Sequence, residues 1–312
     1  MQNILSDTDQ RLLEALVQNS RFTPQVIGKL LGKSRNWVSR KIRSLVKSGV
    51  IRGYTTIINP ATVKTARNTV LFMKSNPREQ DVSKKVLQME ELESLDGVVG
   101  EFSLIGFFRF DSEGSFEDLL DRVDNVVASS GSGKYNQAQI LTTYKKNGFR
   151  IVPNEPGDTY ISPKEMSLLR IMRYHKPTSE KPFPLAQEAI GKKMSPLMRQ
   201  PAVSKAINKL LLKRAIVGYS IEVDFGMIGL PVKFFVRMKV SPGTAAETAQ
   251  KLIEMDEVWD LYRTSEDYSL LATVRTKSIN SFNTFLRDLY GIENIIDTHS
   301  SVSLEEWPLR SN

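Results

Sequence analysis

The sequence predicts an α+β chain that uses one plan twice: a winged helix-turn-helix followed by a βαββαβ, ferredoxin-like domain. Three observations lead there. The charge is blocked: residues 1–54 carry ten Lys/Arg against three Asp/Glu, and 151–220 carry 12 against five. The blocks between and after are not basic, with 12 against 13 over 55–150 and nine against 14 over 221–312. The chain also aligns on itself. Val38-Ser39-Arg40-Lys41-Ile42 lies over Val203-Ser204-Lys205-Ala206-Ile207 at an offset of 165, and Ile51-Arg52-Gly53-Tyr54 lies over Ile216-Val217-Gly218-Tyr219 at the same offset. Finally, hydrophobic spacing switches from helical to alternating at matching places in both halves. The domains read from these signals are 1–56, 57–150, 160–221 and 222–312.

The first module has clear local punctuation. Ser6 with Asp7 and Asp9 starts a helix whose apolar side is Leu12, Leu13, Leu16 and Val17, ending near Asn19-Ser20. Thr23-Pro24 caps a short second helix, with Val26, Ile27, Leu30 and Leu31 as its expected buried side, and Gly32 stops it. Ser34 caps a third helix with the stripe Val38, Ile42, Leu45 and Val46. Gly49 closes that helix, and Val50 to Ile58 reads as a strand.

In the second module, Leu168, Leu169, Ile171 and Met172 mark a first helix and Pro184–Ile190 a second. Val203, Ile207, Leu210 and Leu211 mark the third. In the non-basic blocks the expected order is strand 69–75, helix 80–94, strands 96–102 and 103–110, helix 115–127 and strand 137–144. The same order follows at 232–240, 245–255, 258–263, 270–274, 279–289 and 295–303. An antiparallel sheet with both helices on one face leaves its other face to be covered, a natural association surface.

The outer face of the third helix carries the chemistry. Stepping 100° per residue from Val38 puts Asn36, Arg40, Arg43, Ser44 and Lys47 opposite the buried stripe. Arginine and asparagine can each bond two atoms of one base edge, and recognition helices read bases mainly from their first turns. Asn36, Trp37 and Arg40 are therefore assigned to the groove, and Lys33, Arg35, Lys41, Arg43 and Lys47 to phosphates. In the second module the matching outer face offers Lys205, Asn208 and Lys209, with Leu212 in the place of Lys47. Lys192, Lys193, Arg199 and Gln200 are expected in the preceding loop, within reach of phosphates.

The absence of Cys excludes disulfides, thiolate zinc sites, iron–sulfur clusters and a cysteine nucleophile, and two His exclude a multi-His metal centre. No metal or cofactor is expected. No run approaches 18 apolar residues and the start MQNILSDTDQRLL lacks a signal-peptide pattern, so a cytoplasmic protein without membrane contact is expected. His175 is expected at a helix end, His299 in a terminal strand, and Glu90-Glu91 and Glu305-Glu306 as solvated charge. No catalytic constellation stands out, so the chain is not expected to be an enzyme.

The chain resembles the Lrp/AsnC ("feast/famine") transcriptional regulators. The residues that carry the resemblance are Leu5-Ser6-Asp7-Thr8-Asp9-Gln10-Arg11-Leu12-Leu13, Val50-Ile51-Arg52-Gly53-Tyr54, Val99-Gly100-Glu101-Phe102-Ser103-Leu104, Ile216-Val217-Gly218-Tyr219 and Thr264-Ser265-Glu266-Asp267-Tyr268. The resemblance implies double-stranded DNA as partner and association through the ferredoxin-like sheets, which one tandem chain could satisfy with itself as a pseudo-dimer, with homo-oligomers beyond. It also implies a small-molecule effector, such as an amino acid, at Gly100, Glu101, Ser265 and Asp267. Ser103 and Tyr268 depart from the family's Gly-x-x-Asp segment. The expected function is sequence-specific transcription regulation. The alternatives are an enzyme similar to siroheme decarboxylases, which wants His and basic groups on a large apolar cleft, and a weakly specific architectural chromatin protein.

Overall fold

The computed structural model describes residues 5–62, 67–75, 81–110, 113–128, 133–151 and 160–307. In chain order the elements begin with α1 (Asp7–Gln18), α2 (Pro24–Leu31), α3 (Arg35–Lys47) and β1 (Ile51–Ile58). Then come β2 (Arg67–Lys74), α4 (Asp81–Val86), β3 (Leu92–Val99), β4 (Leu104–Phe110), α5 (Glu113–Ala128), β5 (Lys134–Lys146) and β6 (Phe149–Arg150). They continue with α6 (Pro163–Arg173), β7 (Tyr174–His175), α7 (Gln187–Lys193), α8 (Gln200–Leu212) and β8 (Ile216–Val223), then a 3-10 turn at Phe225–Ile228. The last are β9 (Val232–Val240), α9 (Ala245–Ile253), β10 (Val258–Thr264), β11 (Leu270–Thr276), α10 (Ile279–Tyr290) and β12 (Ile295–Trp307). These form two compact units, Met1–Val63 with Pro153–Pro231, and Lys64–Val152 with Val232–Arg310.

In the first unit the helix starts follow the local chemistry. Ser6 Oγ accepts from the Asp9 N–H while Asp9 accepts from the Ser6 N–H, a reciprocal cap that Ser162 and Glu165 repeat at α6. The turn between α2 and α3 is tight: a Cβ on Gly28 would lie 2.5 Å from the Lys33 carbonyl oxygen, and one on Gly191 of α7 would lie 2.1 Å from that of Met198. Only glycine lets these helix pairs close. The buried side of α2 is narrower than its spacing suggests. Ile27 is buried and Leu31 partly so, while Val26 and Leu30 are exposed, because so short a helix meets its neighbours along one line. Likewise Leu211 of α8 is exposed.

The strand after each helical module finds its partners outside that module. β1 lies between β7 and β8, antiparallel to both, with Ile51 opposite Val223 and Ile58 opposite Ile216. This exchange carries Ile221 and Val223 into the core of Leu12, Leu16, Val38 and Ile42, and sets Ile58 against the core of Leu168, Ile190, Val203 and Leu210. Side chains lock the seam. Tyr54 donates its phenol to the Pro182 carbonyl at 2.6 Å, Thr56 donates to Met172 O at 2.7 Å and Ser220 to Val17 O at 2.9 Å.

In the second unit the segments 67–146 and 232–307 each run strand, helix, strand, strand, helix, strand. The strands follow the order β10-β11-β9-β12-β3-β4-β2-β5, with β6 beyond, and β10 also pairs with β5, so the series closes into a ring. The long strands β5 and β12 make the closure. β5 pairs with β2 over 134–139 and with β10 over 140–145. β12 pairs with β9 over 295–302 and with β3 over 302–307. Alternation then buries both faces. Phe72, Ile105, Phe107, Phe235, Tyr262 and Leu271 fill the space between the two halves of the sheet. On the helix sides, Leu71, Met73 and Leu95 pack under Val82, Leu119 and Val123, and Met238, Leu261 and Ala272 under Leu252, Phe282 and Phe285.

The helix expected over 80–94 is shorter. Leu92–Leu95 join β3 instead, with Leu92 opposite Phe108 and Leu95 opposite Gly106, because β4 offers that segment backbone partners and β12 adds one at Leu95. Of the loop 129–136, residues 129–132 lie outside the described residues, and Lys134 to Asn136 belong to β5.

Candidate nucleic-acid interface and a buried guanidinium centre

α3 presents a basic face. Lys33, Arg35, Asn36, Arg40, Arg43, Ser44 and Lys47 are exposed, while Val38, Ile42, Leu45 and Val46 are buried. No acid occurs from Lys33 to Lys47. Trp37, expected in the groove, is half-buried against the core, with Lys33 Nζ 5.7 Å from its ring centroid. Lys41, expected on a phosphate, instead lies 2.8 Å from the buried Asp9 carboxylate of α1. Burial pushes the Asp9 pKa up, but hydrogen bonds from Lys41 and Ser6 outweigh it and hold the carboxyl below its ordinary range.

The second module departs from expectation at its second helix. α7 starts at Gln187, three residues late. Arg21 donates to Leu185 O at 2.8 Å and Leu185 packs on the second core, which holds this stretch extended, and Ala186 offers no side-chain cap. Lys192 and Lys193 therefore belong to the last turn of α7, not to a loop, and Lys192 pairs with Glu188 at 2.7 Å. Arg199 is the N-cap of α8 and Gln200 its first residue. Lys205, Asn208 and Lys209 are exposed, Leu212 is 85% exposed, and Lys209 Nζ lies 3.5 Å from Glu165. Glu165 is buried, yet hydrogen bonds from Lys213 and Ser162 outweigh that burial and bring its pKa to about 2.

His175 follows the C-cap of α6, Tyr174, directly. It sits in β7 opposite Tyr54, rings stacked 6.4 Å apart, and burial with Lys193 and Arg21 nearby pulls its pKa down. It shares a crevice of about 10 Å³ with Arg21, Tyr54, Leu185 and Tyr219. That is room for about one water. Among the described residues no three His, Asp or Glu gather as a metal site, and no helix is long and apolar enough to cross a membrane.

Of the four expected effector residues, the second unit brings Glu101 within reach of one side chain that sequence reasoning missed, Arg237, while Gly100, Ser265 and Asp267 meet other neighbours. Gly100 and Glu101 lie in the turn between β3 and β4, and Ser265 and Asp267 in the turn between β10 and β11. Arg237 of β9 stands between the turns. Its Nη1 is 3.8 Å from Glu101 and its Nη2 2.7 Å from Glu266. Its guanidinium carbon lies 4.8 Å from the Phe72 ring centroid, 4.9 Å from that of Tyr268 and 6.0 Å from that of Phe102. Arg237 Nε is buried without a hydrogen-bond partner. Gly100 has φ +152, and a Cβ there would meet Ser301 Oγ at 2.8 Å. Ser265 Oγ accepts from the Gln139 N–H at 3.0 Å, and Asp267 is 89% exposed, 4.0 Å from Lys239. The available signal was an arginine central in the strand segment Val232–Val240, between the flanking cations Lys233 and Lys239.

The acids read as solvated charge are also partly engaged. Glu91 pairs with Arg122. Glu306 bonds Arg275 at 3.0 Å and Lys233 at 3.4 Å, and these cations outweigh its burial and bring its pKa to about 2.

The helical module and its basic reading face define a helix-turn-helix protein of the DNA-binding class. Residues 5–52 match the family model described as winged helix-turn-helix DNA-binding, and residues 233–311 match the Lrp/AsnC ligand binding domain. A relative from Mycobacterium tuberculosis, the HTH-type transcriptional regulator LrpA, is 32% identical over 125 residues, covering 39% of this chain and 83% of its own. The HTH-type transcriptional regulator LysM of Sulfurisphaera tokodaii is 26% identical over 152 residues, 47% of this chain and 97% of its own. The chain belongs to the Lrp/AsnC family of transcriptional regulators. Over nearly its whole length it also has the fold of the siroheme decarboxylase NirDL, with a TM-score of 0.62 and 13% identity, covering 97% of this chain and 93% of that one. At that identity the likeness concerns the fold alone.

Proposed function

We propose that the chain is a sequence-specific, cytoplasmic DNA-binding regulator in which one tandemly duplicated polypeptide of winged helix-turn-helix and ferredoxin-like domains acts as a pseudo-dimer. The observation that carries this reading is the acid-free outer face of α3, with Asn36, Arg40 and Arg43 exposed on a helix whose opposite side is fixed in a core. Asn36 and Arg40 read base edges with Trp37 beside them, and Lys33, Arg35, Arg43 and Lys47 contact phosphates. On the second module Lys192, Lys193, Arg199, Gln200, Lys205 and Asn208 contact the backbone. At the offset of 165, Asn36, Trp37 and Arg40 become Pro201, Ala202 and Lys205. The operator therefore has two unlike half-sites, about one helical turn apart.

The test is selection from a random duplex pool at two salt concentrations. A bipartite motif supports the reading, and Arg40→Ala blurs one half-site. Salt-sensitive binding without a motif supports the architectural alternative instead. No binding at low salt removes both.

A small-molecule effector is supported by the Arg237 centre. A guanidinium beside Glu101 and Glu266 complements both the carboxylate and the ammonium of an amino acid, with Gly100, Ser265 and Asp267 in the flanking turns. Calorimetry with the twenty amino acids tests it, and silence across the panel removes it. The sheet faces through which association was expected pack against each other within the chain, so homo-oligomers engage its remaining outer surface.

A further inference from the structure

Each helical module buries one carboxylate against its reading helix, and the two do so with different residues. In the first, Asp9 at the third position of α1 accepts from the Ser6 N–H and from Lys41 Nζ at 2.8 Å, and its side chain is 5% exposed. In the second, Glu165 at the third position of α6 accepts from the Ser162 N–H at 2.8 Å and from Lys213 Nζ at 2.8 and 3.0 Å, with Lys209 at 3.5 Å. The lysines are not in corresponding places. At the offset of 165, Lys41 falls on Ala206, while Lys209 and Lys213 fall on Ser44 and Ser48. The clamp is thus kept although its cation has moved along the helix and its acid has gained a methylene.

A charge pair taken out of water holds only where its geometry is good, and removing one partner leaves the other buried and uncompensated. A lysine held this way cannot leave for a phosphate without that cost. Lys41 sits on the basic helix, yet its ammonium points at α1. Lys213 is 19% exposed and also donates to Tyr160 O at 2.6 Å, so it is fully engaged.

We propose that Asp9 and Glu165 are positioning residues of DNA recognition: each buried carboxylate pairs with a part-exposed lysine of its reading helix or of that helix's C-cap, Lys41 or Lys213, and holds that lysine away from phosphates. The inference rests on the DNA-binding reading above. It divides the five residues of the first module expected on phosphates into four that meet DNA, Lys33, Arg35, Arg43 and Lys47, and one that does not, Lys41.

Amine-reactive labelling of the full chain, free and bound to a pool of random duplexes, reads this by mass spectrometry without any substitution. Lys33 and Lys47 should label in the free protein and be protected on DNA, while Lys41 and Lys213 label weakly in both states. Strong labelling of free Lys41 that DNA then suppresses overturns the proposal. No protection of Lys33 or Lys47 overturns the DNA-binding reading itself, so the two failures are distinct.

Salt dependence supplies a second readout. Lys41→Met should leave the slope of log K against log[salt] as in the parent, whereas loss of a true phosphate contact lowers it by about 0.9. Asp9→Asn frees Lys41 and should steepen the slope by about the same amount, and Asp9→Asn with Lys41→Met should restore it. A merely structural acid would change the amount of folded protein and leave the slope alone, which also overturns the proposal.

Discussion

Ile221 belongs to β8, in the second half of the chain, yet it is buried in the core formed by α1, α2 and α3. Ile221→Ala should therefore destabilise a module that ends more than a hundred residues earlier in sequence. The substitution removes three carbons, about 2.4 kcal/mol at ~0.8 kcal/mol each. The side chain is only 6% exposed, between Leu16-side helix packing and the β1 partner strand, where little can relax into the gap. A residual cavity raises the cost to about 3–4 kcal/mol. Hydrogen exchange of the intact chain reads it locally. Amides of α1 and α3 should lose protection together with those of β1, by a factor of roughly 10² to 10³ if they open as one unit. Refutation is simple to state. If α1 and α3 keep their protection while only α6 to α8 lose theirs, the first module is complete on its own and the strand exchange is a surface contact.

Three further outcomes follow from the side-chain chemistry. Glu165 has a folded pKa of about 2 against an ordinary 4.5, so it stabilises the fold above about pH 4.5 and loses that contribution as pH falls toward 2. The loss is about 3 kcal/mol at most, and urea midpoints measured across that range should show it shrink in Glu165→Gln. Arg237→Met leaves the mostly buried Glu266 without its 2.7 Å partner and should cost about 3 kcal/mol, read as a lowered thermal midpoint. Arg237→Lys should recover only part of it, since an ammonium cannot cover Phe72 and Tyr268 as a planar guanidinium does. Arg40→Ala should cost about 1–3 kcal/mol on the preferred duplex and much less on random duplex, measured by competition binding.

The parts of this fold that could be read from sequence are those decided within one helical turn. Ser6, Thr23, Pro24, Ser34 and Gly32 act on neighbours three or four residues away, and their helices begin and end where those signals stand. What could not be read depends on partners far along the chain. Nothing near Ile51 says that its strand will pair with Val223. Nothing near Leu92 says that the sheet, not α4, will take it. α7 starts later than the helix-start signal Pro184 indicates, because the bond that keeps Leu185 extended comes from the distant Arg21. For the basic face, helical geometry located Asn36, Arg40, Arg43 and Lys47, but Lys41 looked equivalent to them because Asp9 lies on another helix. Arg237 and Glu306 show the same limit: a charge in a strand gives no hint whether its counter-charge arrives from a distant turn.

The closed ring of strands has a consequence for how the chain is made. Val99 pairs with Val302, and Leu95 with Trp307, so the first half of the ring stays open until the last strand has left the ribosome. Contacts so distant in sequence form late and slowly. Until then β3 keeps an unpaired strand edge, open to the wrong neighbour, and the far end of β5 does so until β10 is made. After closure, among the described residues, only the two-residue β6 lies outside the ring, which leaves little free edge for another chain to add to by backbone pairing. Synthesis therefore passes through a sticky stage that the finished molecule does not retain, and truncations just short of Trp307 should be recovered as aggregates.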